Sequence, residues 1–179
     1  GYVDDAIEKL GDHMPTGELR GGKYSLYEAG TRVPFVTYWK GTIEPGSSDA
    51  IISQIDWLSS LSSLMGDEKQ ELDSENHMNL LLGKSNKGRD DVVLEATSRT
   101  AYRHGDWVLI PPYPGPKMFL TKGIETGNGD EYQLYNLAED VSQKNNLAEK
   151  MPEKRDEMME RFLTIVGDAY ENTSRLRFD

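Results

Sequence analysis

The sequence predicts an α/β protein in two parts, and three observations carry that reading. A β-rich run at residues 33–39 is followed by apolar residues at helical spacing, Trp57, Leu58, Leu61, Leu64 and Met65. Several short β-rich runs then crowd between Val92 and Tyr135. A second helical stripe, Met158, Phe162, Ile165, Val166 and Tyr170, comes after Met151-Pro152. Residues 1–85 therefore read as a mixed α/β piece, and residues 86–179 as a small antiparallel sheet covered by a C-terminal helix.

Taken in order, residues 1–18 are mostly loop, with one short helical possibility from Asp4 to Leu10 that Gly11, Pro15 and Gly17 end. Asp4, Asp5, Asp12 and His13 are metal-ligand types, yet their spacing matches neither a calcium loop nor a zinc helix, which favours a solvated loop. Residues 33–39 combine β-branched and aromatic side chains over a strand's length, with Pro34 near the start and Lys40-Gly41 at the end. The next helix takes Asp56 as its N-cap and Gly66 as its stop, with the apolar stripe facing a core. Ser59, Ser60, Ser62 and Ser63 lie on a face packed closely or left polar.

Residues 67–91 form a polar excursion joining two units, and His77 within it is read as solvent-exposed. Strands are expected at residues 92–95, 100–103, 107–110 and 132–135, with Gly105 supplying the positive φ of a tight hairpin. Pro111, Pro112, Pro114 and Pro116 cannot donate to a ladder, so they mark a rim loop. Proline in the first turn opens the last helix, which is expected to reach about Asn172.

Composition removes several function classes. With 20 Lys and Arg against 31 Asp and Glu, the 179-residue chain carries a formal charge of −11, which argues against nucleic acid as a partner. No apolar run approaches the roughly 18 residues that span a membrane. There is no cysteine, hence no disulfide framework, thiolate metal site or cysteine nucleophile within it.

Chemistry concentrates in residues 19–35, LRGGKYSLYEAGTRVPF. Paired glycines let a backbone approach a ligand closely, and Lys23 directly after them can meet an anionic group. Tyr24, beside Lys23, is the aromatic expected near a ligand. Tyr27, Trp39, Trp57 and Trp107 read more simply as core or half-buried residues.

This stretch closely resembles the lysine motif of the type I, formylglycine-dependent arylsulfatases of the bacterial arylsulfatase A-like kind. Two further passages agree. GYVDDAIEKLGDHMPTGE looks like the connector that follows a calcium-binding segment in such proteins. Leu134-Tyr135-Asn136-Leu137 with Asp140 and Asn146-Leu147 is similar to the family's closing signature.

The resemblance implies an alkaline-phosphatase-like fold, of which residues 1–85 would be the last part of the catalytic domain and 86–179 the C-terminal subdomain. It implies a lysine at Lys23 that contacts the sulfate group of the ester, with Glu28 and Arg32 as a local pair holding the loop. His13 would be placed to donate a proton to a leaving oxygen, the solvated-loop reading standing beside it. Arg103 and His104, at a hairpin tip, would reach the non-sulfated part of the substrate. Calcium and formylglycine are implied for the parent enzyme and none for this chain, which lacks the modified-residue motif and the aspartate-rich segment.

The chain therefore reads as a C-terminal portion that is inactive alone, its partners being a sulfated carbohydrate or aryl sulfate and the missing N-terminal part of a periplasmic or secreted parent. A non-catalytic anion- or glycan-binding module is the alternative.

Overall fold

A period of two in adjacent strands decides how the larger unit is built. The protein, seen as a computed structural model, is described over residues 14–67, 73–120, 123–167 and 170; His13 and the short helix expected near residue 4 lie outside these. It divides into two compact units, one of residues 1–32 with 93–179 and the other of residues 33–92.

In the first unit a four-stranded sheet runs in the order β1 (Asp91–Ala96), β2 (Arg99–His104), β3 (Trp107–Ile110) and β6 (Gln133–Asn136). A two-stranded ribbon, β4 (Met118–Phe119) with β5 (Ile124–Glu125), stands apart from it. Antiparallel pairing sets Tyr102 opposite Leu109 and Leu109 opposite Leu134. Successive side chains on a strand point to opposite faces, so these three share one face while Ala101, Val108 and Tyr135 share the other.

Each face has its own cover. The helix Pro152–Val166 lays Met158 and Phe162, both fully buried, onto Tyr102, Leu109 and Leu134. The other face packs on Leu26 and Tyr27, from the glycine-lysine stretch. Burying a side chain of this size contributes about 2 to 3 kcal/mol, so one face serves the helix and the other holds the loop in place. Ile165, expected in the helical stripe, is exposed instead, because the stripe over the sheet narrows to the residues facing Tyr102 and Leu134.

The hairpins carry their own strain. β1 meets β2 through Thr97 and Ser98, both at positive φ (50° and 60°), the twist a two-residue turn requires. Gly105, at φ 55°, does the same between β2 and β3, as the sequence suggests.

The second unit departs from the sequence reading in three ways. Residues 33–39 form no strand; Val33, Phe35, Val36, Tyr38 and Trp39 are all exposed and none joins a ladder. The helix Trp57–Leu64 is where expected, but its apolar stripe faces outward and its serines inward: Trp57, Leu58, Leu61, Leu64 and Met65 are exposed while Ser59 and Ser60 are buried.

Hydrogen bonds explain the inversion. Ser59 N–H donates to Ser74 Oγ (3.0 Å), Ser59 Oγ to the Ser74 carbonyl (3.0 Å), and His77 N–H to Ser60 Oγ (2.9 Å). Small hydroxyl side chains let residues 73–77 approach the helix closely. His77, read as exposed, is buried within this interior, with Nε2 3.2 Å from Glu75 Oε2.

Asp56 stands at the N-cap position of this helix, as expected, but its side chain makes no cap hydrogen bond there and organises the same interior instead. Fully buried, it accepts from the N–H groups of Ser53 (2.9 Å) and Glu75 (3.0 Å) and from Arg89 Nε (2.8 Å) and Nη2 (2.5 Å). Burial by itself would raise the carboxyl, but the Arg89 and backbone hydrogen bonds outweigh it and hold it below the usual aspartate value.

Asp56→Ala leaves the Arg89 guanidinium, 8% exposed, without its buried counterion and is expected to destabilise the second unit by about 3 to 5 kcal/mol. The wild-type contribution is complete above about pH 4, the unfolded aspartate value, and is lost as pH falls through the lower folded-state value. Urea unfolding across pH in a Trp107→Phe background, where Trp39 and Trp57 report this unit, checks both.

Candidate functional site

The loop that carries Lys23 is built by exclusion. Gly21 has φ 84°, and a Cβ there would collide with Ser25 Oγ. Gly30, in the short helix Glu28–Thr31, has no room for a Cβ against the Ser25 carbonyl oxygen. Between them Ser25 N–H donates to the Gly22 carbonyl (2.9 Å) and closes the turn at Lys23-Tyr24. Tyr24 sits at φ 77°, an uncommon conformation for a bulky residue and one that persists only where surroundings enforce it.

Arg20 does most of the enforcing. Its Nε and Nη2 donate to the two Glu125 oxygens (2.8 and 2.7 Å), and Nη1 donates to the Gln143 carbonyl (2.6 Å) and to Tyr135 Oη (3.3 Å). The guanidinium carbon lies 4.0 Å from the centroid of Tyr27. Glu125 is held below the usual carboxylate range, chiefly by the Arg20 hydrogen bonds, with burial opposing. Burial pushes the Tyr135 phenol up, so it stays a neutral hydrogen-bonding partner.

Gln143 closes the far side of the loop. Its carbonyl takes Arg20, while its side-chain Oε1 accepts the Glu28 N–H (2.8 Å), so one residue grips the loop on both flanks of Lys23. On the other side Leu26 N–H donates to the Thr126 carbonyl (2.9 Å).

Glu28 is buried and takes two cations. Arg32 Nε donates to Glu28 Oε2 at 2.5 Å, the local pair expected from the sequence, and Arg103 Nη1 reaches the same oxygen at 3.3 Å. Burial pulls the Arg103 guanidinium below its usual value, Glu28 offsetting part of this.

The candidate residues therefore fall into separate places. Lys23 is exposed, with Nζ 5.2 Å from the Tyr24 ring centroid, and Tyr24 in turn meets Phe119 edge-on at 6.1 Å. Arg103 faces the same stretch through Glu28 and also donates to the Gly105 carbonyl (2.8 Å). His104, one residue on, belongs to the opposite face of β2, the face that the C-terminal helix covers. His13 lies outside the described residues. Glu125 and Gln143 are absent from the sequence candidates; the one signal was that Gln143 falls inside the 134–147 signature.

Calcium and formylglycine find no support in these side chains. Among the described residues no three His, Asp or Glu gather as a metal site, and the sequence holds no cysteine precursor. No chemical step is derived through either group.

Comparison with known proteins places this geometry. The Sulfatase family model matches residues 6–67, the span that includes the Lys23 loop. An N-acetylgalactosamine-6-O-sulfatase of Bacteroides thetaiotaomicron is 42% identical over 167 residues, which cover 89% of this chain and 32% of that protein. A solved structure from work on glycosaminoglycan metabolism by the same organism superposes with TM-score 0.85 at 39% identity, over 90% of this chain and 34% of that one. The chain belongs to the sulfatase family.

Human arylsulfatase A matches a shorter part, 41% identical over 51 residues, 28% of this chain and 10% of that protein. A sulfatase from Pseudoalteromonas sp. shares the fold, with TM-score 0.63 at 18% identity over 89% of this chain. This α/β sulfatase chain, with its antiparallel sheet and C-terminal helix, spans about a third of the length of the relative it matches over most of its residues.

Arg20→Ala is expected to lower the stability of the first unit by about 2 to 3 kcal/mol, the worth of charged hydrogen bonds lost together. Arg20→Lys should recover little of it, since an ammonium cannot match the two-pronged contact with Glu125. Gly30→Ala should be as damaging as Arg20→Ala, because its collision is with backbone. Thermal unfolding followed by Trp107 fluorescence in a Trp39→Phe, Trp57→Phe background ranks the three.

Proposed function

We propose that this chain contributes the sulfate-binding lysine of a sulfate-ester hydrolase, with Lys23 meeting the tetrahedral anion of a sulfated carbohydrate. The observation that carries this reading is the Lys23 loop itself: an exposed ammonium on a turn that two glycines, Arg20 and Gln143 hold in a strained shape. A compact ammonium suits a tetrahedral oxyanion, and a cation already in place stabilises charge that builds on the sulfuryl oxygens without reorganising at the moment of reaction. The relative named for N-acetylgalactosamine 6-sulfate supports a sugar ester over a simple aryl ester as substrate. Tyr24, beside Lys23, would line the approach, and Arg103, tied to Glu28, would act on the loop's shape. His13 is the proposed proton donor to the leaving oxygen.

Turnover in this reading needs sulfatase sequence beyond the matched third. The second unit supports that view, since the apolar residues of 33–39 and the stripe from Trp57 to Met65 are exposed together, more than a soluble surface usually leaves uncovered. Residues 33–39, apolar on both faces, have the pattern of a strand buried in a parallel sheet, and we propose that they pair there when the rest of such a protein is present.

Mixing the chain with a polypeptide made of the part of the Bacteroides thetaiotaomicron relative outside the matched region tests this. The mixture is expected to hydrolyse 6-O-sulfo-N-acetylgalactosamine, with Lys23→Ala lowering kcat/KM about 100-fold or more, and Leu61→Asp blocking association. The chain alone is expected to show no turnover above its Lys23→Ala variant. Hydrolysis by the isolated chain, or full activity of the Lys23→Ala mixture, overturns the reading; Lys23-dependent binding of methyl sulfate with no reconstituted activity would favour an anion-binding module instead.

A further inference from the structure

A cleft of about 290 Å³ opens in the first unit beside the Arg20–Glu125 pair, and Lys23 is not among its lining residues. What it can bind follows from which polar atoms are already used. Arg20 gives four of its five N–H groups to Glu125, Gln143 and Tyr135, and Gln133 Oε1 accepts from Tyr27 Oη (2.7 Å) and Tyr135 Oη (2.9 Å) while one of its two amide N–H groups donates to the Gly127 carbonyl (2.7 Å). Those groups form a floor whose polar valences are mostly taken, with one N–H each on Arg20 and Gln133 left over from these bonds.

The walls differ. Each Glu125 oxygen accepts a single Arg20 hydrogen bond and keeps a lone pair, and the side chain is 39% exposed. The Asn128 amide donates to the Pro116 carbonyl (3.3 Å), which leaves its Oδ1 as an acceptor. Asp130 and Glu131 line the cleft with carboxylates that make no ion pair among the described residues, and Lys117 adds one ammonium. With Glu125 neutralised by Arg20, the open groups are mainly acceptors and carry a net charge near −1.

Such a cleft calls for a ligand that brings many O–H donors and no negative charge. We infer that it is a subsite for an uncharged sugar unit, a neutral hexose or N-acylhexosamine, and that it discriminates against a uronate. Adjacent hydroxyls on a ring can donate in pairs to carboxylates, while a sugar carboxylate would meet the exposed Asp130 and Glu131 at less than a Debye length, a repulsion that is strongest at low ionic strength. The volume, at the small end of ligand sites, suits a short saccharide. The ribbon of β4 and β5 links this cleft to the proposed sulfate site: Lys117 and Glu125 border the cleft, and Phe119 between them touches Tyr24.

The choice of a sugar as ligand rests on the glycan reading above, while the cleft's preference for neutral donors rests on its own residues. Amide resonances of the full chain, titrated with lactose and with an unsaturated glucuronate-containing disaccharide of similar size, separate the two. Lactose is expected to shift Asn128, Gly129 and Asp130 with a dissociation constant on the order of millimolar, about tenfold tighter than the uronate sugar. Asp130→Asn with Glu131→Gln should weaken lactose about tenfold and erase the discrimination.

No lactose response, an equal response to the uronate, or calcium shifting these resonances while lactose does not would overturn the assignment. Lys23→Ala should leave the lactose response intact. If it does, and reconstituted hydrolysis nevertheless proves independent of Lys23, the reading of Lys23 falls and the cleft assignment stands.

Discussion

The bond on which the shape of the Lys23 loop depends is the one between Arg20 and Glu125, 105 residues apart in the sequence. A turn with positive φ at both Gly21 and Tyr24 is not stable by its own propensity. It is kept because Arg20 is fixed at one flank by Glu125 and Gln143, and Glu28 at the other by the same glutamine. The two-faced sheet makes this possible: β6 and the segment after it bring Tyr135 and Gln143 to the face on which Leu26 and Tyr27 pack. The position of Lys23 is thus a property of the whole unit, fixed by hydrogen bonds to residues more than a hundred positions away.

What could be read beforehand follows from the range of the forces involved. The strands around Tyr102, Leu109 and Leu134, the turn at Gly105 and the helix from Pro152 are legible because alternation, glycine conformation and helical period are local patterns. The chemical weight of residues 19–35 is legible for the same reason, as is the Glu28–Arg32 pair one helical turn apart. The roles of Glu125 and Gln143 are not, since a tie across the fold leaves no periodic trace at either end. Gln143 looked like one more polar residue in a closing signature; that its backbone and side chain both serve the Lys23 loop appears only when the segments are brought together.

The error over the Trp57 helix has a different cause. Helical spacing correctly located an amphipathic helix, but amphipathicity says that two faces differ and not which of them a given stretch of chain will cover. Here the covering segment, residues 73–77, is itself polar, and it selects the serine face by offering carbonyls and N–H groups where hydroxyls can reach them. Residues 33–39 fail as a strand for a related reason: a strand needs neighbours for its N–H and C=O groups, and the second unit supplies none among its described residues.

These contrasts bear on how each unit can be stable. The first buries Tyr102, Leu109, Leu134, Met158 and Phe162 fully, so apolar burial supplies its driving force and the polar ties to Arg20 refine a body already held together. The second buries Asp56, Ser59, Ser60 and Ser74 and leaves its largest apolar side chains outside. A buried ion pair such as Asp56–Arg89 costs nearly as much to desolvate as it returns, so it fixes one arrangement without contributing much net stability. A unit organised in that way has its geometry specified from within and its hydrophobic driving force still unspent on the outside. Under the proposed pairing with the rest of such a protein, burial of Leu58, Leu61 and the residues of 33–39 would add the apolar term that the second unit lacks, whereas the Lys23 loop already rests on a buried apolar core.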